Sequence, residues 1–345
     1  MGWTATVRRR RREKDPGDDT DYVNALTTLS EGSVRRNFNP YTDIPWESAE
    51  FAVTEGDPRW TLPASDPLGR HPWYRAQSAE RQIKIGMWRQ ANVAKVGTHF
   101  ESVLIRGLMN YTFWLPNGSP EYRYCLHEAV EECNHTLMLQ EMVNRVGADV
   151  PGMPRMLRWL SPLVPLVAGP LPVAFFIGVL AGEEPLDHTQ KSILREGKSL
   201  HPVMERVIAI HIAEEARHIS FAYEFLRRRL PMLSRTRRFW IALYCPLIMR
   251  LLCEAIVVPP KAFWQEFDIP DEVRRELFFG SADSREWLRD MFADMRMLAH
   301  STGLMNPVAR LVWRLCGIDG APSRYRSEPR RRHHTGAPPS VQAAS

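Results

Sequence analysis

The chain has 345 residues and a mass of 39.8 kDa, and it is 44% hydrophobic and 25% charged. That is room for a sizeable core, and it excludes a mainly disordered chain, a collagen and a coiled coil. The net charge of +5 sits mostly near the ends, in Arg8 to Arg12 and in Arg324, Arg326, Arg330, Arg331 and Arg332. The body between them is close to neutral, which argues against a nucleic-acid-binding fold. Five scattered cysteines with no CxxC pair exclude a disulfide scaffold, a zinc ribbon and a thioredoxin-type site. Reduced thiols and a cytoplasmic setting are the expectation. No apolar stretch follows the basic N-terminal residues, so no secretory signal is expected.

In chain order, residues 1–40 are polar, lack an apolar period and read as a disordered basic tail. Residues 41–80 mix Pro, Asp and Trp irregularly, which reads as an extended arm lying on a helical body. From about residue 80 the apolar residues recur at helical spacing. Helices are predicted over about 80–112, 120–146, 170–195, 202–229, 235–257 and 284–303. Pro120 opens the second and Gly147 closes it. Residues 321–345, rich in Pro, Arg and Ser, read as a second disordered tail. One domain over 41–320 is the expectation: an all-α antiparallel bundle with additional helices and an irregular N-terminal arm.

Residues 161–182 carry no charge over 22 positions, long enough to span a membrane. Four prolines within the stretch, and Glu183 and Glu184 directly after it, favour a buried bundle helix behind a proline-rich loop. Peripheral membrane contact by this segment, or by the apolar run from Trp240 to Pro260, remains open.

The chemistry lies in two Glu-x-x-His motifs, Glu132 with His135 and Glu215 with His218. Three residues is about one helical turn, so each Glu and His leave the same face. Bundles that hold two iron or manganese ions take such a motif from each of two helices and one Glu from each of the others. Glu101 fits the first lone place and Glu184 the second. Four inward carboxylates are tolerable only if divalent ions cancel their charge. His211, one turn before Glu215, offers a third imidazole. Glu128, on the face of Glu132 and His135, is the first choice for orienting an imidazole. Glu131, Glu183, Asp187, Glu214 and Arg217 are further candidates for that role, with surface salt-bridging as the plainer reading, and Cys133 reads as packing. Met109, Phe113, Met138, Phe175, Phe176 and Leu180 are candidate pocket wall, with ordinary core as the plainer reading.

With His211, Glu215 and His218 on one helix, Glu132 and His135 on another, and two lone Glu residues, the sequence resembles the p-aminobenzoate N-oxygenase family. The resemblance implies a ferritin-like bundle holding two non-haem irons that activate dioxygen. It implies seven ligands: Glu101, Glu132, His135, Glu184, His211, Glu215 and His218. Reading back from His211 without gaps selects Glu184 over Glu183, and His99 stays an outside candidate for the first place. Glu132 and Glu215 would bridge the ions. Glu101 and His135 would complete one, and Glu184, His211 and His218 the other. No catalytic residue beyond the ligands is implied. A homodimer follows from the resemblance alone.

The expected reaction is N-oxygenation of an amine to a hydroxylamine or nitro group. C-hydroxylation or desaturation of a lipid-like substrate is the alternative, and a non-catalytic metal-binding bundle is the second alternative. The donor set suits iron and also accepts manganese. The sequence has neither a Gly-rich dinucleotide loop nor a cysteine cluster, so an external reductase or ferredoxin is expected.

Overall fold

The computed structural model describes residues 16–196 and 200–328, with side chains at all of these but 16–19 and 279. Its helices are α1 (Pro16–Arg35), α2 (Pro67–Arg70), α3 (Pro72–Arg75), α4 (Ala79–Phe113), α5 (Pro120–Val146), α6 (Arg155–Leu160) and α7 (Pro172–Arg195). They continue with α8 (Pro202–Arg229), α9 (Arg235–Val257), α10 (Lys261–Glu266), α11 (Asp271–Arg275), α12 (Ala282–Asp290), α13 (Ala293–Ser301) and α14 (Pro307–Leu315). Among the described residues there is no strand. The protein is an all-α bundle.

Four long helices form the frame. α4 packs on α5, α7 packs on α8, and α5–α8 and α4–α7 contacts close the bundle. Their inward stripes set the geometry. On α4 the buried positions Ala94, Gly97, Glu101, Leu104, Leu108 and Tyr111 recur at alternating steps of three and four. On α8 the same steps join Met204, Ile208, His211, Glu215, His218, Ala222 and Phe225. The ligand-type residues therefore occupy core positions in the middle of otherwise apolar stripes.

The helix ends follow local chemistry. Ser78 caps α4 by accepting from the Arg81 N–H. Gly147 closes α5 at φ 72°, a left-handed conformation that costs glycine little. The His201 ring caps α8 by accepting from the Val203 N–H. Pro185 sits inside α7 and cannot donate to the preceding turn, so the ladder is broken directly after Glu184.

The arm of residues 41–80 is irregular and broken by two 3-10 turns, Ala49–Phe51 and Pro58–Trp60, and by α2 and α3, each of these two opened by a proline behind a side-chain cap. It lies on the body. Trp60 stacks on His201 at 4.6 Å, and the Tyr74 hydroxyl donates to the Gln82 carbonyl. A Cβ at Gly86 of α4 would meet the Trp60 carbonyl at 1.9 Å, so only glycine lets the arm approach so closely. Asp66 of the arm and Arg89 of α4 form a buried ion pair at 2.6 Å. Asp66→Ala is expected to cost roughly 3–5 kcal/mol, because it strands a buried guanidinium. Chemical denaturation of the variant measures this.

Several sequence expectations are corrected. Residues 1–40 are not wholly irregular: α1 forms over Pro16–Arg35, while 1–15 lie outside the described residues. Its buried stripe is Tyr22, Leu26, Ser30 and Ser33, and half of that stripe is serine, so an apolar period is faint. Tyr22 donates to Glu121 of α5. The helix expected at 284–303 is two, parted at Met291 and Phe292, and α10, α11 and α14 were not anticipated. The second tail begins as a seated segment. Arg296 donates to the Ala321 carbonyl, the Ser327 N–H donates to Asp294, and Arg326 donates to Ser220. Residues 329–345 lie outside the described residues. The apolar stretch 161–182 divides into a 3-10 segment, Ser161–Val167, with exposed leucines, and the buried start of α7.

Candidate metal centre

Ligand-type residues from four helices meet at the middle of the bundle. α4 brings Glu101, α5 brings Glu132 and His135, α7 brings Glu183, and α8 brings His211, Glu215 and His218. All are buried. Two sets of donor atoms lie within 4.8 Å of one another: Glu101, His135, His211 and Glu215, and then Glu132, His135, Glu215 and His218. The sets share His135 and Glu215. Two adjoining four-donor groups with a common carboxylate are what two bridged ions require.

His135 Nδ1 lies 3.0 Å from Glu132 and 3.2 Å from Glu215. His218 Nδ1 lies 2.8 Å from Glu132 and 3.3 Å from Glu215. His211 presents Nε2, 3.5 Å from Glu101 and 3.6 Å from Glu215. Several of these atoms are close without making a hydrogen bond among the described residues: Glu132 Oε1, both Glu215 oxygens, Glu101 Oε2 and His218 Nδ1. Buried donor atoms that crowd together without pairing are what a metal-binding donor set presents.

The outer nitrogens are held crosswise between helices. His218 Nε2 meets Glu131 of α5 at 2.7 Å, and His135 Nε2 meets Glu214 of α8 at 2.9 Å. With Nε2–H donating to a carboxylate, each Nδ1 keeps its lone pair for the centre. Arg217 ties the two carboxylates together, at 2.7 Å from Glu131 and 3.5 Å from Glu214. The Phe38 N–H donates to Glu214, so the link that follows α1 also helps to position His135. Glu131→Gln or Glu214→Gln is expected to weaken metal affinity about 10–100-fold while the fold survives. Metal titration followed by absorbance measures the loss.

Electrostatics agree with a site built for cations. Burial, then the charges of Glu132 and Glu215, push Glu101 well above the usual carboxylate range. Burial, then Glu215, Glu101 and Glu132, do the same to Glu183. Burial also works against charge on Glu132 and Glu215, but the facing imidazoles outweigh it, holding Glu132 at about 2 and Glu215 well below its ordinary value. Burial opposes charge on His135 and His218, yet the carboxylates raise both. Burial lowers His211 to about 4. The buried carboxylates thus demand compensating positive charge, and two divalent ions would supply it, so the donor set fits them.

Of the seven residues singled out from sequence, six come together and Glu184 does not. The Glu184 carboxylate faces the other way, beside Tyr223, Asp187 and Asp294, where burial and those two acids raise it to about 8. Glu183 stands against Glu215 in its place. A gap-free count fixes neither: neighbouring positions differ by about 100° around a helix, and only packing decides which one faces inward. His211 groups with Glu101 and not with His218. His99 lies outside the cluster and accepts from the Met153 N–H.

Glu128 is buried close to His218, but both its oxygens lack a protein partner, and Glu131 and Glu214 do the orienting instead. The signal was present as a doubled Glu one turn before each His, in Glu131–Glu132 and Glu214–Glu215. Met109 and Phe113 are exposed and line no interior wall. Cys133 is exposed, so it does not pack. Asp187 pairs with Lys191.

A cavity of about 10 Å³ touches Glu101 and Glu183 between Val96, Phe100 and Leu186. It adjoins one of about 60 Å³, with which it shares Val93, Gly97, Leu186 and Ile256. The larger space is mainly apolar, with Gln90 and Gln190 among its polar walls.

The fold and the centre define a helical-bundle protein with a buried carboxylate–imidazole cluster suited to two metal ions. Residues 19–303 match the family described as P-aminobenzoate N-oxygenase AurF, and the chain belongs to that family. It is 80% identical to three mycobacterial proteins, over 98% of this chain and 99% of each of theirs. They are the uncharacterized proteins MT0908 of Mycobacterium tuberculosis (strain CDC 1551 / Oshkosh), Mb0909 of Mycobacterium bovis (strain ATCC BAA-935 / AF2122/97) and Rv0885 of Mycobacterium tuberculosis (strain ATCC 25618 / H37Rv).

Proposed function

We propose that this protein is a di-iron oxygenase that N-oxygenates an amine, carrying it to a hydroxylamine or nitro group. The observation that supports it most is the pair of donor groups sharing His135 and Glu215. The ligands in this proposal are Glu101, Glu132, His135, Glu183, His211, Glu215 and His218. A di-iron pair held there would supply electrons for the reduction of dioxygen. Three neutral imidazoles among four carboxylates favour iron, though manganese also suits the set.

The chain's own residues do the rest. Glu131 and Glu214 fix the imidazole orientations. Val93, Val96, Phe100 and Leu186 keep water from the inner face of the centre. The cavity there is narrow, so a substrate must reach it by moving these side chains. An external electron donor, a homodimer and a cytoplasmic setting belong to the proposal. The first follows from the absent cofactor motifs and the second from the family. For the third, all five cysteines are free thiols.

A second reading, C-hydroxylation of a slender apolar substrate, draws support from the apolar lining of the 60 Å³ cavity. Iron-loaded protein, reductant and ¹⁸O-labelled dioxygen, incubated with aryl amines, alkyl amines and fatty acids, separate the two. Label on nitrogen supports the proposal. Label on carbon replaces it with the second reading, and no label in any product removes both.

A further inference from the structure

The described surface carries a run of large exposed apolar side chains on adjoining elements. The 3-10 segment Ser161–Val167 packs on α4, α6 and α7, α9 packs on α7, and α14 packs on α9. Trp114 after α4, Trp159 on α6, Trp240 on α9 and Leu315 on α14 are 68%, 79%, 64% and 78% exposed. Leu166 of the 3-10 segment and Leu247 of α9 are exposed as well. Isolated apolar side chains on a surface need no explanation, but a run over several neighbouring elements does.

Along the stretches that carry these side chains the charges are of one sign, and the nearest acid on α9 is Glu254, at its buried-core end. Residues 102–119, 155–182, 231–253 and 307–318 contain no Asp or Glu. They contain nine arginines: Arg106, Arg155, Arg158, Arg235, Arg237, Arg238, Arg250, Arg310 and Arg314. Two of these have acidic partners from outside the ranges, Arg250 with Glu254 and Arg314 with Asp319. A second copy docking by the same face would set this arginine array against itself, which opposes a two-fold interface here. An anionic bilayer reverses that balance. It takes tryptophan at the headgroup level, leucine just beneath, and arginine against phosphate.

The stretch Arg235–Glu266, which contains α9, is long and apolar enough to cross a membrane by composition, but 44% of its most apolar part is buried in the protein. Ala242, Cys245, Met249 and Cys253 serve the core, while Trp240, Leu247 and Leu251 face out. A helix with one face committed to the core lies in the interface and does not span it.

We infer that this arginine-rimmed apolar face is a docking surface for anionic membrane lipid, on which the protein lies as a peripheral protein. The inference stands apart from the oxygenase reading and needs no activity to test. Full-length, iron-loaded protein is spun with vesicles of phosphatidylcholine alone or mixed with phosphatidylglycerol. The expected result is sedimentation with the mixed vesicles, weakened by added salt and much reduced on phosphatidylcholine alone. Arg235→Glu/Arg237→Glu and Trp159→Ser/Trp240→Ser are each expected to lower partition by about tenfold or more, with circular dichroism and iron content unchanged. No vesicle binding would overturn the inference. So would binding that both variants retain in full, which would assign it to the terminal arginines. A dimer in sedimentation velocity that the Trp159→Ser/Trp240→Ser variant dissociates would overturn it as well, since a second copy would then cover the face.

Discussion

Replacing Glu215 with alanine is expected to abolish stoichiometric metal binding, from about two ions per chain to near none. Glu215 is common to both donor groups and lies within 3.2–3.6 Å of all three imidazoles. No neighbouring oxygen can replace a carboxylate that serves both sides. Loss of one shared ligand therefore removes both ions and not one. Oxygen-dependent turnover is lost with them. Thermal unfolding supplies an independent readout: adding ferrous iron anaerobically should raise the wild-type midpoint and leave the variant unmoved, because only a chain that binds is stabilised. A variant that keeps two ions would mean that the centre lies elsewhere.

The second large effect separates adjacent residues. Glu183→Gln is expected to weaken metal binding by more than the ~100-fold that losing an outer partner costs. Glu184→Gln is expected to leave metal content unchanged. The two side chains have similar burial, so stability alone cannot sort them. Their surroundings differ: Glu183 faces Glu215, Glu101 and Glu132, while Glu184 faces Asp294, Asp187 and Tyr223. Metal titration of the purified pair decides. A metal deficit in Glu184→Gln with a normal Glu183→Gln would reverse the assignment.

Much of the frame was legible in the sequence because long helices advertise themselves. The boundaries expected for 80–112, 120–146, 170–195, 202–229 and 235–257 lie within two residues of α4, α5, α7, α8 and α9. Pro120, Gly147 and Pro202 mark ends by their backbone chemistry, which needs no tertiary context. The elements that were missed are those whose pattern only the body completes. In α1, Ser30 and Ser33 share the buried face with two large residues, so no apolar stripe stands out. The short helices α10, α11 and α14 and the seated segment 321–328 draw on contacts such as Arg296 with the Ile318 and Ala321 carbonyls, which no local pattern announces.

The centre was legible to the same depth. Glu-x-x-His spacing brings Glu132 with His135 and Glu215 with His218, and a one-turn step adds His211. Spacing along one helix cannot say which neighbour of a pair turns inward on another, and Glu183 and Glu184 are that case. Nor can it show pairing across helices. Glu131 orients His218, and Glu214 orients His135, each from the opposite helix. From sequence, both are candidates for that role, with surface salt-bridging as the plainer reading.

The central claim is that this chain holds two metal ions at one carboxylate–imidazole centre. Its most direct test is the metal content of protein from iron-supplemented cells, joined to Mössbauer spectra of the ⁵⁷Fe-loaded chain. About two irons per chain, magnetically coupled and both absent from Glu215→Ala, is the result expected of the bridged arrangement. A chain without stoichiometric metal, or with one uncoupled iron, would contradict it and leave the buried carboxylates of α4, α5, α7 and α8 to be explained by protons alone.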